Sequence, residues 1–161
     1  MRSVQAGERH EEDLGLLLVS VSARLSRLYG RVLSRLDAPL TFRQHRLLRR
    51  VGEGHSSMAA LAAFGNLTVP TVSESVEVLV RRGLLNRQEN PQSRRSLLLS
   101  LTPDGQAAKQ SADEALVEVG DRLLQAVPEE RRQALRESLA SIYDAATEIF
   151  LQPAPTATRE I

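Results

Sequence analysis

Apolar residues recur at helical spacing near both ends of this chain. The first stripe steps alternately by four and three residues along Leu14, Leu18, Val21, Leu25, Leu28 and Val32. This spacing places side chains on one face of an α-helix. Two further stripes of the same kind run from Ala108 to Leu123 and from Leu135 to Ile149, with Pro128 between them. The pattern predicts one long amphipathic helix near the start of the chain and two near its end.

Three helix-start signals divide the centre of the chain. Thr41, Ser57 and Thr68 each stand immediately before a segment with helical character, and a hydroxyl side chain at that position caps the first N–H groups of a helix. Pro70 falls in the first turn of the last of these segments, where a missing N–H does no harm. Gly83 closes that segment. The signals predict helices over residues 41–51, 58–64 and 68–82.

A β-hairpin is predicted directly after these helices. Leu84–Gln88 and Ser96–Leu101 have the length of short strands, and leucine occupies every other position in the second. The residues from Asn90 to Arg95 are polar and rich in turn formers. We therefore expect residues 90–95 to form the loop of the hairpin.

Composition narrows the class of protein. With 42% hydrophobic and 25% charged residues over 161 positions, the chain is typical of a globular domain with helical extensions. The absence of cysteine excludes disulfides, thiolate metal sites and a thiol redox switch. No apolar run is long enough to cross a membrane, and residues 1–13 lack the apolar centre of a signal peptide. We therefore expect a cytoplasmic protein.

Basic residues are concentrated in the middle of the chain. Residues 24–95 carry 13 arginines and 5 acidic residues, a local net charge of +8, whereas residues 1–23 carry −2 and residues 104–161 carry −5. A basic centre between acidic ends suits a segment that faces phosphate groups. The alternative is that these arginines lie on solvent-exposed helix faces and have no role in binding.

The order of the central elements indicates a nucleic-acid-binding module. A helix of small residues, a turn and a helix containing Thr71-Val72-Ser73 precede the hairpin. That order is typical of a helix-turn-helix followed by a β-ribbon, in which the second helix enters the major groove of DNA. The predicted fold class is mainly α with a small β-hairpin wing (α+β).

Several motifs of this module resemble the MarR family of bacterial regulators. They are Leu61-Ala62, Pro70-Thr-Val-Ser73, Gly83-Leu-Leu85 and the segment from Arg95 through Thr102 to Gly105. The resemblance implies a winged helix-turn-helix homodimer that binds a palindromic operator and is released by a small ligand. It implies a DNA-binding domain over residues 38–104 and a helical dimerisation region over 11–37 and 105–151. The proline-containing segment 152–161 is expected to be a mobile tail.

The resemblance also suggests DNA contacts. Arg95 is expected in the minor groove and Arg94 near phosphate, and helix projection puts Glu74 and Arg81 on the face opposite Val72. Glu74, where many family members carry arginine, either accepts a hydrogen bond from cytosine, pairs with Arg81 or lies at the rim. The candidate DNA-binding residues are Thr68, Thr71, Ser73, Glu74, Arg81, Arg94 and Arg95.

Other functional classes find less support in the residues. Many members of the family bind a phenolic or aromatic carboxylate effector. The candidates for this role in the present chain are Tyr29, His45 and Arg46. The three histidines lack metal-site spacing, so we expect neither a metal nor a cofactor. No catalytic motif is present, which indicates that the chain is not an enzyme. The remaining alternative is a helical interaction protein that keeps this fold without operator specificity.

Overall fold

The computed structural model describes residues 13–65, 67–90 and 93–151, without the side chains of 64–65, 90, 93–97 and 150–151. The elements of these residues are α1 (Leu14–Leu33), α2 (Phe42–Gly52), α3 (Met58–Gly65), α4 (Val69–Arg81), β1 (Leu85–Asn90), β2 (Ser93–Leu101), α5 (Pro103–Leu124) and α6 (Glu129–Leu151). Six helices and one antiparallel hairpin confirm the predicted fold class. Residues 11–12 of the predicted dimerisation region and the predicted tail 152–161 lie outside the described residues.

The chain divides into two compact units, with the boundary inside α5 after Val117. The first unit holds α1 to α4, the hairpin and the start of α5, and the second holds the end of α5 and all of α6. The functional segments 11–37, 38–104 and 105–151 remain a prediction.

An aliphatic core holds the first unit together. Every large side chain that is fully buried in it is leucine or valine, as expected for a chain with 3% aromatic residues. Each of the three helices α2, α3 and α4 contributes to this core, and so do the ends of the hairpin strands and the first turns of α5. The buried residues include Leu33, Leu48, Leu61, Val72, Val76, Leu79, Leu85, Leu99, Ala108 and Ala112.

The three predicted helix caps are formed. Thr41 Oγ1 accepts a hydrogen bond from Gln44 N at 3.1 Å, and Gln44 Oε1 accepts one from Thr41 N at 2.9 Å, so α2 begins with a reciprocal capping box. Ser57 Oγ accepts from Ala60 N at 3.1 Å. Thr68 Oγ1 accepts from Thr71 N at 3.4 Å. These bonds satisfy N–H groups that a helix start otherwise leaves without partners.

The hairpin is longer than the sequence predicted. β1 and β2 pair in antiparallel register from Leu85↔Leu101 to Glu89↔Leu97, and after a bulge Asn90 pairs with Ser93. The predicted loop over residues 90–95 is therefore wrong for Asn90 and for Ser93 to Arg95, which belong to the strands. The strands continue to pair at these polar positions because backbone groups, not side chains, form the hydrogen bonds. The bulge between Glu89 and Asn90 accommodates the shift in register.

A third segment joins the hairpin. Leu99 N donates a hydrogen bond to Ser56 O at 2.9 Å, and Ser57 forms a β-bridge with Leu98. This contact ties the loop between α2 and α3 to β2. It was not predicted, since two residues carry too little pattern to indicate a strand.

The start of α5 is fastened to the end of α4. Thr102 Oγ1 donates to Gly83 O at 2.6 Å and accepts from Gly105 N at 2.9 Å. Gly83 has a φ of 70°, a left-handed conformation that favours glycine. Gly105 is buried directly against the backbone of Leu84. The hairpin is thus flanked by two helices whose ends are joined through Thr102.

Candidate nucleic-acid interface

Helix α4 has one buried face and one exposed face. Val72, Val76 and Leu79 are fully buried and anchor the helix in the core. The opposite face carries Pro70, Glu74, Glu77 and Arg81, all of them exposed, as the helical projection predicted for Glu74 and Arg81. The helix is therefore held rigidly while a polar face points to solvent, which is the arrangement required of a helix that enters a DNA groove.

Hydroxyl groups cluster at the start of α4. The Oγ1 atoms of Thr68 and Thr71 lie 2.8 Å apart, and Thr68 also caps the helix. Ser73 lies partly exposed one turn from Val69. The structure thus brings together Thr68, Thr71 and Ser73, three of the predicted DNA-binding residues, beside N–H groups that favour an anion.

Glu74 and Arg81 stay apart. Both side chains are exposed, and neither forms an ion pair with a described side chain. The ion pair considered as one role for Glu74 is therefore not formed. Its carboxylate remains available on the exposed face of α4.

The wing arginines lie on a strand rather than in a loop. Arg94 and Arg95 follow Ser93 in β2, and their side chains are outside the described atoms. Arg87 lies on β1 opposite Leu99 and is exposed. Arg87 adds a basic residue to the hairpin that the sequence pattern does not single out, because it lies in a strand without alternation.

A buried histidine joins α2 to α5. The side chain of His45 is 5% exposed, and its Nε2 lies 2.7 Å from Asp113 Oδ1. Lys109 Nζ donates to Asp113 Oδ2 at 2.9 Å. Burial raises the pKa of Asp113, but the hydrogen bonds from Lys109 and His45 outweigh it, so this pKa lies below its ordinary value of 3.8. The ionised carboxylate accepts from His45, while the buried Nδ1 of His45 has no partner among the described atoms.

The predicted effector residues surround Phe42 without converging on one point. The rings of Tyr29 and Phe42 stack with centroids 6.1 Å apart, and the centroid of the His45 ring lies 6.5 Å from that of Phe42. Arg46 instead lines a cavity of about 300 Å³ between α2 and α3. The lining of this cavity is Phe42, Arg43, Arg46, Leu47, Arg50, Leu61 and Leu67.

Helices α1 and α6 expose apolar surface, and so does α5 at Val117, Leu123 and Leu124. In the first unit, the initial turns of α1 are apolar on nearly every side, and Leu14, Leu16, Leu17, Leu18, Val19 and Val21 are exposed. In the second unit, α6 exposes Leu139, Ile142, Tyr143 and Ile149. In a single chain, the stripe predicted on α1 is thus exposed from Leu14 to Val21 and partly covered from Leu25 to Val32.

Two further kinds of feature are missing from the described residues. No helix there is both long and apolar enough to cross a membrane. In the same part of the chain, no group of three or more His, Asp or Glu side chains is arranged to hold a metal ion.

Known proteins match both the sequence and the fold. The sequence model of the MarR family matches residues 38–96. The HTH-type transcriptional regulator YdcH of Bacillus subtilis, itself uncharacterised, is 34% identical over 96 residues, which are 56% of this chain. The match spans 64% of YdcH, which is less than two thirds of its length.

Solved structures share the arrangement of helices and wing. A probable transcriptional regulator from Pseudomonas aeruginosa has a TM-score of 0.70 at 27% identity, covering 82% of this chain and 98% of that one. FabT of Streptococcus pneumoniae, solved in complex with DNA, has a TM-score of 0.77 at 16% identity over 86% of this chain and 99% of its own. YdcH and the Pseudomonas protein are named as transcriptional regulators, in agreement with the prediction that the chain is not an enzyme. Residues 38–96 are therefore similar to the MarR family, and the chain shares the winged-helix fold of these structures.

Proposed function

We propose that the chain is a sequence-specific DNA-binding transcriptional regulator, acting as a repressor, that binds a palindromic operator as a homodimer. The observation that carries this proposal is α4, whose buried residues fix it in the core while its polar face lies open to solvent. A MarR family match over the same segment supports it. FabT, which shares the fold, has been solved with DNA.

In the proposed complex α4 enters the major groove, and the hairpin lies beside the neighbouring minor groove. Thr68, Thr71 and Arg81 contact phosphates, and the local charge of +8 supplies salt-sensitive affinity. Ser73 and Glu74 face base edges, where a carboxylate accepts a hydrogen bond from cytosine N4. Arg94 and Arg95 contact phosphate and the minor groove.

Dimerisation is proposed because the apolar turns of α1 are uncovered in one chain. A two-fold dimer would bury this surface against the same surface of a second copy. It would also present two copies of α4 to one side of a duplex, which is the geometry that a palindromic operator requires. The apolar residues of α6 supply a second surface for the same purpose.

We also propose that binding of an aromatic carboxylate releases the DNA. The cavity beside Phe42 combines aliphatic walls with guanidinium groups, and neither Arg43 nor Arg46 forms an ion pair with a described side chain. Tyr29 reaches it through Phe42, whereas Nε2 of His45 is held by Asp113. Benzoate, the simplest aromatic carboxylate, is the probe: it is expected to release DNA from the wild-type protein and less so from Arg46→Ala.

The test is selection of bound duplexes from a random-sequence pool by the full chain. A regulator returns one motif with two-fold symmetry, and a titration then shows at least about a thousandfold preference for it over unselected DNA. A helical interaction protein that has kept the fold returns no motif and shows only weak association that moderate salt abolishes. That second result would reject the proposed function.

A further inference from the structure

One apolar side chain interrupts the polar surface at the start of α4. Val69 is the first residue of the helix and is 49% exposed. Among the described side chains of residues 38–96, it is the one large hydrophobic side chain that is exposed to this degree. Pro70 beside it is exposed as well. The first turn of α4 therefore presents the side chains of Val69 and Pro70 beside its hydroxyl groups.

Helix α4 lacks the side chains that recognise purines. Its sequence, VPTVSESVEVLVR, contains no Arg, Lys, Asn or Gln before Arg81 at its end. Bidentate hydrogen bonding to guanine or adenine depends on those four residue types. Hydroxyl groups of Ser and Thr discriminate weakly between bases, and the carboxylate of Glu74 suits cytosine. Apolar contact with the C5-methyl group of thymine is the remaining way for this helix to select a base.

We propose that Val69 packs against the C5-methyl group of a thymine in the major groove and is a specificity-determining residue of this protein. The inference rests on the proposed function, in which α4 enters that groove. Val69 lies next to the buried stripe of Val72 and Val76, but half of its surface has no cover in the chain. Its β-branched side chain has a restricted χ1 angle, so the two methyl groups are held in place before DNA arrives.

The test combines a protein variant with a DNA variant. The probe is the duplex that the wild-type chain selects from a random pool, with each thymine replaced in turn by deoxyuridine, which lacks the C5-methyl group. For the wild-type protein, one thymine in each half of the site is expected to be sensitive, and removing its methyl group is expected to weaken binding about fourfold. In Val69→Ala, replacing that same thymine is expected to have no further effect.

Val117→Ala is the matched control. It makes the same change at an exposed valine of α5, and it is expected to keep the sensitivity to deoxyuridine. An unchanged thermal midpoint establishes that Val69→Ala is folded, since the side chain is half exposed. Equal sensitivity of the wild type and Val69→Ala at every thymine overturns the inference, and so does a wild type that is sensitive at none. If the wild type selects no motif at all, the proposed function has failed, and this inference fails with it.

Discussion

At the residue scale, Arg95 tests the role of the wing. Replacing it by alanine is expected to weaken binding to every selected duplex alike and to lower the slope of log affinity against log salt by about one unit, because one fewer counterion is released. Arg136→Ala removes the same charge from α6, far along the sequence from the wing, and is expected to keep the wild-type slope. Fluorescence anisotropy titrations at several salt concentrations measure both. Equal slopes for the two variants would remove Arg95 from the interface.

A second residue-scale prediction concerns Asp113. Replacing it by alanine leaves both ring nitrogens of the buried His45 without partners, and an unsatisfied buried polar group costs about 1–3 kcal/mol. Glu53→Ala is the matched control, since Glu53 also bonds two basic residues, Arg49 and Arg50, but with more exposed side chains. Its expected effect is below about 1 kcal/mol. Urea unfolding of the two variants measures the difference.

The contribution of Asp113 depends on pH. Because its pKa in the folded protein lies below the ordinary value of 3.8, the unfolded chain takes up the proton first as pH falls. The stabilisation is therefore fully present above about pH 4 to 5 and is lost as pH falls through the lower folded pKa. The difference in unfolding free energy between the wild type and Asp113→Ala is expected to shrink over that range. A difference that stays constant down to about pH 3 would contradict the assignment.

At the element scale, the junction of α4, β1 and α5 depends on close backbone packing. A Cβ atom at Gly105 would overlap the carbonyl oxygen of Leu84, whereas one at Gly120, in the same helix, would have no heavy atom within 4 Å. Gly105→Ala is expected to cost about 1–3 kcal/mol through overpacking. Gly120→Ala is expected to stabilise the protein by about 0.5–1 kcal/mol through helix propensity. Chemical denaturation measures the free energy of unfolding of both variants. A more stable Gly105→Ala than Gly120→Ala would show that the junction accommodates the added methyl group.

Helix starts were predictable because their signals are local. Thr41, Ser57 and Thr68 each bond a residue three positions along, and the sequence shows both partners side by side. The strand ends were harder, because pairing of Asn90 with Ser93 depends on a bulge rather than on alternation. The contact of His45 with Asp113 spans 68 positions. No local pattern indicates such a pair, since it arises only when α2 packs against α5.

The same distinction applies to the candidate site. Helical projection placed Glu74 and Arg81 on the exposed face of α4, because the angle between residues is set by the helix itself. The exposure of Val69 was not predictable in this way. By spacing it extends the stripe of Val72, Val76 and Leu79, and such a position is normally buried. Only the packed structure reveals that the cover ends before the first turn of α4.

At the scale of the whole molecule, a single chain leaves much apolar surface in water. The six exposed aliphatic residues between Leu14 and Val21 occupy two turns of one helix. Scattered surface leucines are ordinary, but a contiguous patch of this kind marks an interaction site. We propose a second copy as the occupant, since a two-fold dimer would also match a palindromic operator. Dimerisation and operator affinity are then linked, so that each depends on the other.

This linkage predicts how one surface substitution acts on DNA. Leu17, on α1, is 48% exposed, and Leu17→Glu places a charge in the proposed interface. The variant is expected to sediment as a monomer and to bind a full palindrome about 100-fold more weakly. In a dimer, binding of one α4 and wing raises the effective concentration of the second pair at the other half-site, and a monomer loses this gain. Its affinity for an isolated half-site is expected to be unchanged, since α4 and the wing are intact.

Ser26→Glu separates this effect from simple charge repulsion. It adds the same charge to α1 at an exposed position on the side of the helix away from the apolar stripe. This variant is expected to stay dimeric in sedimentation equilibrium. Its affinity for the palindrome, measured by anisotropy titration, is expected to be close to that of the wild type. If both variants lose affinity equally, the loss comes from charge near phosphate. If Leu17→Glu stays dimeric and binds normally, the apolar turns of α1 bind a different partner. The two subunits of the dimer are then held together by another surface.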